Sequence, residues 1–284
     1  MDFQSIGNSA LLGAGFGAIG GALGYVLGRF FPGKMRGWSP LIGVAAGLLA
    51  ANLVGKGLLP LGPQSTREAP AGETAQDPGI QALDAQLKAV ELFTVIAGGF
   101  PEEYDAFLHR AVTVHTYQES FEISRSFTSQ LRQNNADYLH VAPDASNKDV
   151  LSTMLALLEK VRSVSGDAEC SSVAIMGGRG LTADPSAYLT ELSANATAVM
   201  KGIVSGKKSP VPREDATTSD REYLIAAWRK NGASDQMVSA ISTPNLSDPA
   251  VCEASISLLE TAIGLSGPEA ERVRSELVVK MAKG

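Results

Sequence analysis

The run SALLGAGFGAIGGALGYVLG, residues 9–28, decides the predicted architecture of this chain, because residues 3–28 carry no charged side chain. A helix of this length rises about 1.5 Å per residue, and it therefore crosses the roughly 30 Å hydrocarbon core of a bilayer. Buried helices of a soluble protein normally carry a polar stripe, whereas this run carries a glycine stripe. A cleaved signal peptide is disfavoured because the run has no preceding lysine or arginine.

A second uncharged run follows at residues 37–55, and the long stem of Lys56 can lift its ammonium group to the lipid headgroups. Together the two runs predict a membrane hairpin in residues 1–62. Its two transmembrane helices are expected at about 8–28 and 39–59, with the lipid bilayer as their environment.

Small residues recur every four positions in both runs. In lipid this spacing leaves a flat helix face, so that two backbones approach closely and gain dispersion contacts. The pattern resembles glycine-zipper membrane hairpins, a packing mode that unrelated proteins share. Two registers in the first run predict one face for the hairpin partner and one for a second copy, and hence a homo-oligomer. The small residues are Gly13, Gly17, Gly20, Gly21, Gly24, Gly28, Gly43, Gly47, Ala51 and Gly55.

The turn between the runs is basic and aromatic. Its cations outnumber Lys56 and Arg67 beyond the second run, so the positive-inside rule places the turn in the cytoplasm. The C-terminal domain is then expected in the periplasm, on a bacterial inner membrane, with a cytoplasmic C-terminal domain as the alternative. The residues predicted at the membrane interface are Arg29, Lys34, Arg36 and Trp38.

Composition changes sharply after the hairpin. More than half of the 29 glycines precede residue 63, and residues 63–78 read as a flexible linker rich in Pro, Gly, Ser and Thr. The whole chain has a net charge of -6, and residues 1–62 hold four cations against one aspartate, so the remainder carries -9. An acidic domain without basic stripes argues against nucleic acid as a ligand.

Residues 79–284 are predicted to form an all-α domain, a soluble multi-helix bundle. Ala, Leu, Ser and Glu are frequent, aromatic residues make up only 6%, and apolar residues recur at helical spacing. Residues 80–98 predict one helix. Asp144 or Ser146 is expected to cap a later helix, and Ser219 with Glu222 is expected to form a capping box.

The chain has two cysteines, Cys170 and Cys252. Outside the cytoplasm they would form one disulfide, whose stabilisation in the chain-entropy model is about 4 kcal/mol. Two separate buried thiols are the alternative, and the sequence leaves both open.

No residue is predicted to act in catalysis or to bind a cofactor or metal. His109 and His115 are six apart, and no cysteine or carboxylate stands at a metal-ligand spacing from them. Glu119-Ser120 resembles the Glu-Ser pair of lytic transglycosylases, in which the glutamic acid protonates a glycosidic oxygen of peptidoglycan. The downstream glycine and glutamine motifs of that family are absent. Residues 177–180, GGRG, lack the spacing and the preceding strand of a phosphate loop, and they predict an ordinary connection.

The sequence therefore favours a membrane-anchored envelope protein without catalytic activity, whose helical domain binds another protein or assembles with itself. A glycine-zipper pore or channel is the alternative, although Asn52 and Lys56 are nearly the only polar residues that would face water. A cell-wall glycan-cleaving enzyme that uses Glu119 is the third possibility.

Overall fold

A computed structural model describes residues 78–113, 117–182, 185–242, 245 and 248–284. These residues form eleven α-helices and no strand, which confirms the all-helical prediction for this part of the chain. No helix among them is long and apolar enough to span a bilayer. The predicted hairpin, residues 1–62, lies outside the described residues. The helices are α1 (Pro78–Lys88), α2 (Glu91–Gly99), α3 (Pro101–Ala111), α4 (Tyr117–Asn135), α5 (Asp144–Ser165), α6 (Asp167–Met176), α7 (Leu189–Lys208), α8 (Thr218–Lys230), α9 (Asp235–Ser242), α10 (Ala250–Gly264) and α11 (Pro268–Lys283).

The described residues divide into two compact units, 78–124 and 125–284. In the first unit α1, α2 and α3 pack on one another around the rings of Phe93 and Phe107, whose centroids are 6.1 Å apart. The prediction of one helix over 80–98 is wrong because Val90 has an extended backbone between α1 and α2. The break allows apolar side chains on both sides of it to be buried.

The second unit is organised around α5, which packs against α6, α7, α10 and α11. The core consists of the apolar faces that the helical spacing predicts, and burying them supplies most of the driving force for folding. Fully buried members include Leu151, Met154, Ile203, Leu259 and Val278.

Helix α7 lies very close to the short 3₁₀ turn Ala136–Leu139. A Cβ atom added at Gly206 would overlap the carbonyl oxygen of Tyr138, and one added at Gly202 would lie 2.7 Å from Leu139 Cδ2. Gly206 therefore permits a close approach of the helix to the backbone of the turn, and Gly202 leaves room for the side chain of Leu139.

Two predicted helix caps differ from the structure. Helix α5 begins at Asp144 with no side-chain cap, because the Asp144 carboxylate binds Arg274 instead. The capping box of α8 is formed by Thr217 and Asp220, not by Ser219 and Glu222. Asp220 is held by Arg272 as well as by the cap, and this tertiary contact is not visible in the local sequence.

Candidate functional site

Cys170 and Cys252 form a disulfide that joins α6 to α10. Their Cα atoms are 5.3 Å apart, and both residues are fully buried. The alternative of two separate thiols is therefore wrong. The bond closes a loop with a sequence separation of 82, and such a bond stabilises the folded chain chiefly by restricting the unfolded one.

Ser171 extends the same junction. Its hydroxyl donates to the carbonyl of Asp248 at 2.8 Å and accepts from the backbone N–H of Cys252 at 3.1 Å. The first N–H groups of a helix have no acceptor within that helix. The Ser171 hydroxyl of α6 provides an acceptor for one of them, the N–H of Cys252 near the start of α10. The covalent link and this hydrogen bond fix the same two helices.

Arg274 ties together three helices of the second unit. Its guanidinium, 1% exposed, donates to both carboxylate oxygens of Asp144 at 2.7 and 2.8 Å. It also donates to the carbonyls of Ala262 and Leu265, at the end of α10, at 2.9 Å each. Burial raises the pKa of Asp144, but the bonds from Arg274 and the nearby ammonium of Lys148 outweigh it and lower that pKa below its usual range.

A second clamp joins α8 to α11. Arg272 donates to Asp220 at 2.7 and 2.9 Å, and this hydrogen bonding holds the pKa of Asp220 well below its usual range. Arg221 likewise donates from two guanidinium nitrogens to the two carboxylate oxygens of Glu276. Burial raises the pKa of Glu276, yet the bonds from Arg221 and Lys280 lower it overall. All of these carboxylates are therefore ionised at neutral pH and serve as structural partners of arginine.

A polar cleft of about 220 Å³ opens between α4 and the 3₁₀ turn Gly177–Gly180. It lies entirely in the second unit. Of the described residues, no aspartate or glutamate lines it. We call it the Arg179 cleft, and its lining consists of Arg125, Ser126, Ser129, Gln130, Gln133 and Arg179.

The two serines of the Arg179 cleft each accept a hydrogen bond from a neighbour on α4. Gln130 Nε2 donates to Ser126 Oγ at 3.1 Å, and Arg132 Nη2 donates to Ser129 Oγ at 3.3 Å. A hydroxyl that accepts one bond keeps its own proton for donation. The cleft therefore combines two hydroxyl donors with the N–H groups of two guanidiniums.

The turn that carries Arg179 is fixed on α6. A Cβ atom at Gly180 would overlap the backbone carbonyl of Ser172, so the turn backbone rests directly on the helix. The carboxylate of Glu169 accepts from both the N–H and the hydroxyl of Thr182, at 2.7 Å each. Both constraints limit the positions that the Arg179 backbone can take.

Arg132 adds a buried positive charge behind the Arg179 cleft. It is only 2% exposed. Burial, together with the positive charge of Arg179, lowers its pKa to about 9. That pKa is still above neutrality, so the guanidinium remains charged at pH 7. The two guanidiniums therefore lie close enough for the charge of Arg179 to affect the pKa of Arg132.

The predicted site residues fall into two groups. Cys170 and Cys252 are described and paired. The glycine-zipper residues and the interface loop, from Gly13 to Gly55, lie outside the described residues. The side chain of Glu119 also lies outside the described part, while its backbone belongs to α4.

Sequence reasoning missed the Arg179 cleft and helix α6. The sequence predicts an ordinary connection at residues 177–180, because they lack the spacing and the preceding strand of a phosphate loop. A second signal was present in α4, where polar residues at 126, 129, 130 and 133 repeat at helical spacing and form one face. That signal alone does not reveal which segment faces it.

Comparison with protein-family models, with curated proteins and with solved structures finds no match for this chain. Among the residues that the structure describes, no group of three or more His, Cys, Asp or Glu side chains is placed to hold a metal ion.

Proposed function

We propose that this chain is a membrane-anchored envelope protein without catalytic activity, whose helical domain binds a protein partner or assembles with copies of itself. The hairpin, residues 1–62, is the anchor, and residues 63–78 are the tether. The helical domain lies in the periplasm of a bacterium.

One observation carries the proposal, namely the buried disulfide between Cys170 and Cys252. Disulfides persist in oxidising compartments, and the cytosol keeps thiols reduced. A domain that depends on this bond therefore belongs outside the cytoplasm. The predicted hairpin turn carries three cations, Arg29, Lys34 and Arg36. By the positive-inside rule they favour a cytoplasmic turn and a helical domain on the other side of the membrane.

Three carboxylates of the helical domain are unsuited to act as general acids. A general acid that protonates a glycosidic oxygen needs a raised pKa, so that it keeps its proton at neutral pH. Asp144, Asp220 and Glu276 have the opposite shift, because arginine side chains bind their ionised forms. These charges hold helices together.

The disulfide also provides the test of location. Cells that express the full chain are treated with N-ethylmaleimide to block free thiols, denatured, reduced and labelled with polyethylene-glycol maleimide. We expect a gel shift of two labels only after reduction, and loss of that pattern in a strain without its periplasmic disulfide oxidase. Free thiols in the normal strain, or extraction of the chain from membranes by alkaline carbonate, would contradict the proposal.

Self-assembly is tested through the predicted zipper. Gly17→Leu places a large side chain on the predicted packing face, whereas Gly15→Leu makes the same change outside both glycine registers. We expect cross-linked oligomers in native membranes for the parent and for Gly15→Leu, and mainly monomers for Gly17→Leu. Equal cross-linking of the two variants would contradict assembly through the predicted glycine zipper. Monomers alone in the parent, with no co-purifying protein, would remove the assembly and partner functions.

A further inference from the structure

Helix α6 and the turn after it form a small, internally braced piece of the second unit. The carboxylate of Glu169 accepts from the N–H and the hydroxyl of Thr182, and Gly180 rests on the backbone of Ser172. These contacts hold the helix and the turn to each other, so that the two can move as one piece. We call this piece, residues 167–182, the α6 latch.

The two ends of α6 are suited to act as hinges. Gly166 precedes the helix with a φ of 83°, and Gly177 follows it with a φ of 64°. Glycine adopts either sign of φ without a steric penalty, so it absorbs a large backbone change at the end of an element. The ion pair that crosses the first hinge, between Arg162 and Asp167, is 44% exposed on both sides and therefore adds little resistance to movement.

Few large apolar side chains hold α6 to its neighbours. Its buried residues are Cys170, Ser171, Val173 and Ala174, and Val173 alone among them has a branched aliphatic side chain. The main packing of the second unit joins other helices, because α5 contacts α7, α10 and α11. Arg274 of α11 also binds the start of α5 and the end of α10. None of these contacts needs α6.

The burial of the disulfide limits when it can form. Cys170 and Cys252 are both 0% exposed. A protein disulfide forms when a thiolate attacks a sulfur of an oxidant's disulfide, and a buried thiol is out of reach of that oxidant. Helix α6 must therefore lie away from α10 when the bond forms. The hinges and the sparse packing favour movement of α6 alone over unfolding of the whole unit.

We infer that the α6 latch is a redox-controlled element, undocked from α10 in the dithiol form and docked in the disulfide form. The oxidant is a protein thiol–disulfide oxidoreductase in its disulfide state. The inference goes beyond the envelope function and depends only on residues of the second unit. It is therefore tested on the purified chain, apart from the location of the protein in the cell.

The closing step is a thiol–disulfide exchange in two parts. The thiolate of one cysteine attacks the disulfide of the oxidoreductase, which forms a mixed disulfide and releases one oxidoreductase thiolate. The thiolate of the other cysteine attacks the mixed disulfide, which closes the bond between Cys170 and Cys252 and releases the second thiolate. Two electrons and two protons pass from the two cysteines to the oxidoreductase.

The test is hydrogen–deuterium exchange of the purified full chain in a mild non-ionic detergent. The oxidised parent is compared with a parent that is reduced in denaturant and refolded with a phosphine reductant, and with Cys170→Ala/Cys252→Ala. On loss of the bond we expect the amides of α6 to lose at least about tenfold more protection than those of α5 and α11, because local opening adds to the global loss. A bond that acted only on the unfolded chain would lower the protection of all three helices by the same factor.

Gly206→Ala is the matched control, because it is expected to destabilise the second unit with the disulfide intact. In this variant α5, α6 and α11 should lose protection by the same factor. Circular dichroism measures the helix content of each sample. The inference is overturned when the reduced parent has lost its helices, or when its α6 loses no more protection than its α5 and α11.

The reactivity of the thiols gives a second readout. Dithiobis(nitrobenzoate), a small coloured-product disulfide, replaces the oxidoreductase. We expect the reduced parent to release thionitrobenzoate faster than the chain unfolds globally under the same conditions, and to recover the bond between Cys170 and Cys252. Release that is no faster than global unfolding, followed by tryptophan fluorescence, would show that α6 does not open by itself.

Discussion

Replacement of Arg274 by methionine provides the strongest test of how the helical domain is held together. Methionine keeps much of the length of the side chain but removes the charge and all donors. The Asp144 carboxylate then loses its bidentate partner, and the carbonyls of Ala262 and Leu265 lose the donor that lies 2.9 Å from each. Removing one member of a buried ion pair costs about 3–5 kcal/mol, because the other charge stays desolvated.

The ion pair between Arg162 and Asp167 is a matched control, because it has the same nitrogen–oxygen distance as the pair between Arg274 and Asp144 but is more exposed. Arg162 Nε lies 2.7 Å from Asp167 Oδ1, the same distance that separates Arg274 Nε from Asp144 Oδ1. Both members of the control pair are 44% exposed, whereas the Arg274 side chain is 1% exposed. Exposed pairs are typically worth about 0.2–1 kcal/mol, so Arg162→Met is expected to have a small effect.

The assay is urea unfolding of the full chain in detergent, followed by tryptophan fluorescence. The chain has two tryptophans, and Trp38→Phe leaves Trp228, which is fully buried, as the reporter. We expect Arg274→Met to lower the free energy of unfolding by about 3–5 kcal/mol with an unchanged m-value. Equal effects of Arg274→Met and Arg162→Met, or a loss below about 1 kcal/mol for Arg274→Met, would refute the argument that burial decides the contribution of the pair.

Three further predictions concern the same domain. Replacing Cys170 and Cys252 together by alanine should lower the unfolding free energy by about 4 kcal/mol, measured against the oxidised parent; an unchanged midpoint would contradict it. Gly206→Ala should destabilise by about 1–3 kcal/mol in urea unfolding because its Cβ meets the 3₁₀ turn, whereas Gly264→Ala, with open space around it, should be neutral or stabilising. The stability that the Asp220 carboxylate provides should be complete above its unfolded pKa of about 3.9 and lost as the pH falls towards its lower folded pKa. The difference between the parent and Asp220→Asn should therefore shrink between pH 5 and pH 3, and a constant difference would contradict the assignment.

Local sequence signals predicted the helices well where they repeat over several turns. Leu192, Val199 and Ile203 recur at helical spacing, and all three are buried on α7. Pro268, a residue type favoured at the first position of a helix, is the first residue of α11. Cys252 stands at helical spacing from Ile256 and Leu259, and all three are buried on α10. Periodicity predicts these faces because a helix buries one side, and residues three and four positions apart lie on the same side.

Helix ends were less predictable because they depend on distant partners. Asp144 looks like a cap, yet its carboxylate binds an arginine 130 residues away. Asp220 completes a cap that the sequence placed two residues later, and Arg272 binds the same carboxylate. A short polar side chain can satisfy several partners, and only the packing of the helices selects among them.

The sequence by itself determined the helical class of the described residues and the apolar spacing that becomes the buried face of helices such as α7. Tertiary structure alone decided that Cys170 and Cys252 form a disulfide, that Arg274 of α11 joins the start of α5 to the end of α10, and that Arg179 lies opposite the polar side of α4. The physical reason is that hydrophobic periodicity is a local property of consecutive residues. Disulfides, buried ion pairs and clefts arise between segments that only the packed chain brings together.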